Sequence, residues 1–142
     1  MVLVRAGLMK ATLTVGLSLT RSIRIERDRT IFFMGEQARV YATPDMVNDI
    51  EWACRDLILE HCDAGEDSVG THVEVSHLAA TPLGMTVKIT VTVVAIAGRS
   101  VTCEATVHDG IEDVGRGRHT RFVVDVARTE ARIADKAKRA GL

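Results

Sequence analysis

The hydrophobic period of this chain changes once, and that change limits the folds open to it. Across residues 43–61 apolar side chains recur at helical spacing; after Gly70 they recur at every second position. The period-two segments are strand-length and separated by tight turns, which favours antiparallel pairing over parallel crossovers. Thr43 reads as an N-cap, Pro44 as the first helical residue, and Asp45 as a complement to the positive end of the helix dipole. The helix is expected to run to about His61 and stop before Asp63-Ala64-Gly65. Val87, Ile89, Val91 and Val93 alternate with Lys88, Thr90 and Thr92, and Val101, Cys103, Ala105 and Val107 alternate in the same way. Thr81-Pro82-Leu83-Gly84, Ala97-Gly98-Arg99 and Asp109-Gly110 supply the turns, and residues 115–126 the last strand. An entry strand is expected within residues 12–25, an irregular lid-like stretch over 26–39, and a charged helix over 127–140.

One long helix has one sheet face to cover. The order therefore predicts a two-layer α+β domain in the hot-dog arrangement, a layout that usually dimerises because sheet edges and pocket ends are left open. The 142 residues suit a single domain, with 1–10 and 128–142 as peripheral ends.

Composition removes several classes of function. With 18 basic against 19 acidic residues there is no field to attract nucleic acid or an anionic membrane, and 4% aromatic content offers no stacking platform. No apolar run is long enough to span a bilayer, and residues 1–10 have no h-region of signal-peptide length. Three cysteines without CxxC spacing fit unpaired thiols and a cytoplasmic location. The five histidines form no ligand cluster, so no metal is expected.

Two titratable groups sit where apolar ones are expected. On the helical wheel Met46, Val47, Ile50, Ala53, Cys54, Leu57 and Ile58 form one arc, with Asn48, Asp49, Arg55, Asp56 and Glu60 opposite. Glu51 falls at the edge of the apolar arc, beside Val47, Cys54 and Ile58. His77 shares a strand face with Val73 and Val75, the face that should meet the helix. A carboxylate and an imidazole converging on one apolar interface are the usual materials of acid/base chemistry. The Thr43 hydroxyl can cap the helix or bond a nearby carboxylate, and Gly70 can offer an N–H to a developing oxyanion or simply make a turn. Residues 115–121 contain GxG without the strand, third glycine and helix of a phosphate-binding fingerprint. That stretch reads as a solvated strand end, with contact to an anionic carrier such as coenzyme A as the other reading. Trp52 and Leu59 lie off the main arc, and a subunit interface would cover them.

Taken in order, Tyr41-Ala42-Thr43, Met46-Val47, Glu51-Trp52-Ala53-Cys54, residues 65–71, Val75-Ser76-His77, residues 79–87, His108-Asp109-Gly110 and Gly115-Arg116-Gly117-Arg118-His119 resemble the fluoroacetyl-CoA thioesterase family, a branch of the hot-dog thioesterases. The resemblance covers about Tyr41 to Val126. It implies hydrolysis of an acyl-CoA thioester to free acid and coenzyme A, with no cofactor or metal and coenzyme A as part of the substrate. It implies catalytic roles for Thr43, Glu51 and His77, an oxyanion or substrate-binding role for Gly70 and Arg121, and a homodimer or higher homo-oligomer. The family's phenylalanine-lined lid is replaced by Met34-Gly35-Glu36-Gln37-Ala38-Arg39, and Phe32 and Phe33 come earlier, which implies an acyl preference other than fluoroacetyl. The alternatives are a non-catalytic module that binds acyl-CoA or an acyl carrier, and a hot-dog hydratase or dehydratase.

Overall fold

The computed structural model describes residues 9–142. The expectation of a peripheral end at residues 1–10 therefore lies outside the described residues, apart from 9 and 10. The elements run β1 (Ser18–Arg24), α1 (Thr43–Leu59), β2 (Glu66–His77), β3 (Thr86–Ala97), β4 (Ser100–His108), β5 (Asp113–Asp125) and α2 (Val126–Arg139), with two short 3-10 turns between β1 and α1. The strands form one antiparallel sheet in the order β1-β3-β4-β5-β2. Helix α1 lies across one face of this sheet, so the two-layer α+β arrangement holds. A second helix, α2, follows β5 and is mostly exposed along its length. No helix among the described residues is long and apolar enough to cross a membrane.

The core follows directly from the two periods. Met46, Ile50, Ala53, Cys54, Leu57 and Ile58 of α1 are buried, and so are Val87, Ile89, Val91 and Val93 of β3 and Val101, Cys103, Ala105 and Val107 of β4. Each such aliphatic side chain contributes roughly 1.5–3 kcal/mol when fully removed from water. On β5 the helix comes closer still. A Cβ at Gly115 would stand 2.5 Å from the Met46 sulfur, and one at Gly117 would stand 3.0 Å from the Glu74 carbonyl oxygen. Both glycines are there because α1 and β2 leave no room for a side chain.

Two local expectations are corrected. Thr43 is not the N-cap: Ala42 holds that position, without a side-chain cap, and Thr43 is already helical. Asp49, placed on the polar side of the wheel, is buried at 4% exposure. The preceding segment folds over it. Tyr41 donates its hydroxyl to Asp49 Oδ2 at 2.6 Å, and Arg29 spans both carboxylate oxygens at 3.1 and 3.2 Å. Burial and the adjacent Asp49 carboxylate push the Tyr41 phenol well above its ordinary value. The cluster pins residues 29–41 to α1, and so fixes the stretch leading into the functional site. Tyr41→Phe removes a buried hydrogen bond to a carboxylate, and should cost about 1.5–3 kcal/mol in urea unfolding with the slope unchanged.

Candidate active site

The residues singled out in the sequence gather into two groups on the α1 face of the sheet. The first stands at the start of α1. Thr43 Oγ1 and His77 Nδ1 are 2.7 Å apart, joining the helix N-terminus to the last residue of β2. This bond explains why the Thr43 hydroxyl does not cap its own helix. The Tyr41 ring packs edge-on to the imidazole, with centroids 6.2 Å apart. Burial pushes the His77 pKa below its usual value, with the Ala79 backbone working the other way. The buried Nε2 of His77 makes no hydrogen bond among the described residues. A cleft of about 360 Å³ opens on the pair, walled by Ile31, Phe33, Val40, Tyr41 and Leu78. Phe33 thus borders the Thr43–His77 cleft, although it and the adjacent Phe32 are each 73% exposed.

The second group centres on Glu51. Eight residues of helix separate it from Thr43, a rise of about 12 Å. Within one chain, therefore, Glu51 does not join Thr43 and His77. It faces the middle of β2 and β5 instead, where Gly70 pairs with Arg121 just before a bulge at residue 71. A Cβ on Gly70 would stand 3.1 Å from Glu51 Oε1 and 3.1 Å from His119 Cε1. Glu51 Oε1 lies 3.8 Å from His119 Nε2, with the Glu51 side chain 37% exposed and His119 almost fully enclosed. Arg121 is buried, donating through Nε to Ser68 Oγ at 2.7 Å and through Nη2 to the Ser68 carbonyl. A cleft of about 310 Å³ lined by Asn48, Glu51, Trp52, Arg55 and Arg121 leads to this carboxylate. Trp52 is half exposed beneath the Arg55 guanidinium, whose carbon lies 5.3 Å from the ring centroid.

Residues 115–121 are not a solvated strand end. They occupy the body of β5, where Gly115, Gly117, His119 and Arg121 alternate towards α1, with His119 at 1% and Arg121 at 8% exposure. His119 was missed as a site residue. The signal was its place in a period-two series that continues into the buried Val123. Among the described residues no group of three or more His, Cys, Asp or Glu side chains is placed to hold a metal ion.

A family model described as fluoroacetyl-CoA-specific thioesterase matches residues 25–127. The fluoroacetyl-CoA thioesterase of Streptantibioticus cattleyicolor is 32% identical over 135 residues, covering 90% of this chain and 97% of that protein. A solved structure of a fluoroacetyl-CoA thioesterase superposes with a TM-score of 0.79 at 30% identity, over 87% of this chain and 97% of the other. A thioesterase superfamily member from Thermus thermophilus gives a TM-score of 0.84 at 26% identity, over 92% and 98%.

Two outcomes follow from the geometry. Gly70→Ala should leave the fold intact while displacing the Glu51 carboxylate or the His119 ring, lowering kcat/KM by roughly 10–100-fold in steady-state assays. His77, its neutral form favoured by burial, should titrate below the ordinary histidine value of about 6.5 when its imidazole nitrogens are followed by NMR.

Proposed function

The chain belongs to the fluoroacetyl-CoA-specific thioesterase family, and on that premise we propose that it hydrolyses an acyl-CoA thioester at a site made from Thr43, Glu51 and His77. The observation that carries this reading is the Thr43–His77 pair, joined at 2.7 Å at the mouth of an apolar cleft. Glu51 acts on the thioester carbonyl in one of two ways. As general base it takes a proton from water as the water oxygen bonds to the carbonyl carbon; as nucleophile it forms an anhydride that water then opens. In both, the carbon–sulfur bond breaks, the thiolate of coenzyme A leaves and takes up a proton, and the free acid remains. His77 positions the carbonyl or the water and assists proton transfer to the thiolate. The N–H of Gly70 and the charge of Arg121 stabilise the oxyanion. No bound cofactor enters this scheme, and the three free thiols suit a reducing cytoplasm.

The separation of Thr43 from Glu51 along α1 supports a site completed by a second copy of the chain, with Thr43 and His77 from one copy facing Glu51 of the other. Strand β2 is a sheet edge, and Val69, Val73, Phe122 and Trp52 are exposed on or beside it, as an interface between copies would require. A homodimer is therefore part of the proposal.

The acyl group is proposed to be apolar and larger than fluoroacetyl. Its cleft is walled by aliphatic side chains and Phe33, and the stretch in the lid's place is polar. There Glu36 is bound by Arg27 at 2.7 Å and by Arg39 at 3.1 Å, which together hold its carboxyl down at about 2.

The test is free-thiol release from acetyl-, fluoroacetyl-, branched, medium-chain and aromatic acyl-CoAs, run on the native protein and on Glu51→Ala. Turnover should be fastest on an apolar acyl group beyond acetyl, and should fall about 10²–10⁴-fold in the variant. Saturable acyl-CoA binding with no turnover on any member would instead identify a binding module.

A further inference from the structure

His119 has a role beyond packing, and its hydrogen bonds define it. Its Nδ1 lies 2.7 Å from the carbonyl oxygen of His72. A carbonyl only accepts, so Nδ1 carries the proton, and in the neutral ring Nε2 is left with a bare lone pair. That lone pair faces Arg121 Nη1 at 3.1 Å and accepts from it. Burial, with Arg121 adding to it, disfavours the charged ring, while the His72 carbonyl and Glu51 favour it less strongly. The tautomer is thus set by the backbone of β2, and the free nitrogen is offered to the guanidinium.

Among the described residues, every hydrogen bond of the Arg121 guanidinium goes to a neutral acceptor: the hydroxyl and carbonyl of Ser68, and His119 Nε2. A buried cation with only neutral ligands keeps its charge for the nearest carboxylates. The charged and titratable groups around it are Glu51, Cys54 and Arg55 of α1, Asp67 and His72 of β2, Cys103 of β4 and His119 of β5. Asp67 is already paired with Arg55 at 2.6 and 3.1 Å. Glu51 makes no hydrogen bond among the described residues and shares the Arg121 cleft. We infer that His119 is a positioning residue: as a neutral acceptor it fixes the Arg121 guanidinium beside Glu51, so that the carboxylate is held in place. The inference rests on the proposed role of Glu51.

The two amide substitutions separate this role from a structural one. In His119→Gln the terminal amide reaches the position of Nε2 and still accepts from Arg121, but the donor to His72 is lost. In His119→Asn the amide replaces Nδ1 and still donates to His72, but Arg121 loses its acceptor. The acceptor role predicts that Asn lowers kcat/KM roughly tenfold or more, while Gln stays within about threefold of the native protein. Arg121 side-chain N–H exchange, followed by NMR on the same three proteins, should be slow in the native and Gln forms and fast in Asn. Retained activity in Asn with loss in Gln, or equal behaviour of the two, would overturn the inference. So would unchanged Arg121 exchange in Asn, whether or not the protein turns over. Failure of the thioesterase reading itself would show separately, as a native protein without Glu51-dependent turnover.

Discussion

Everything at this site depends on how tightly α1 is pressed into the sheet. The stripe Met46, Ile50, Ala53, Cys54, Leu57 and Ile58 is buried with the inward rows of β3 and β4, and Gly115 of β5 lets the Met46 side chain approach where a Cβ would collide. Once that contact is fixed, the orientation of every other α1 residue is fixed with it. Glu51, one step off the stripe, is delivered against Gly70 and His119. Thr43, at the start of the same helix, is delivered to His77 at the end of β2. A shift of α1 by part of a turn would dismantle both groups together.

The two groups have different electrostatic characters. Around Thr43 the surroundings are apolar and aromatic, and burial lowers the His77 pKa. Around Glu51 a buried guanidinium, ligated among the described residues by neutral atoms, sits beside the carboxylate. Thioester hydrolysis needs both kinds of environment: one that receives an apolar acyl chain and moves a proton, and one that holds a base or nucleophile in place. A single chain holds them about two helical turns apart. On the proposed reading, a second copy docked along the exposed edge of β2 unites them.

Much of the architecture was legible because it rests on local repetition. The alternation from Val87 to Val93 and from Val101 to Val107 reports a half-buried sheet directly, and all eight positions are buried. The wheel placed Glu51 at the margin of the buried arc for the same reason. What was not legible depends on distant partners. Asp49 looked solvent-facing because a wheel cannot show that Tyr41 and Arg29 fold back over it. Thr43 looked like a cap because its partner, His77, lies 34 residues further on. His119 and Arg121 share the inward period of β5, but glycine and charge in that stretch hide the apolar signature that would have announced burial.

On the proposed reading, Thr43 and His77 of one copy act with Glu51 of another. Thr43→Ala and Glu51→Ala proteins, each inactive alone, would be mixed after reversible dissociation and assayed for thiol release. A site shared between copies leaves one intact site in each mixed dimer, so activity should return to about a quarter of the native value. If the three residues acted within a single chain, every mixed dimer would carry two broken sites, and no activity would return.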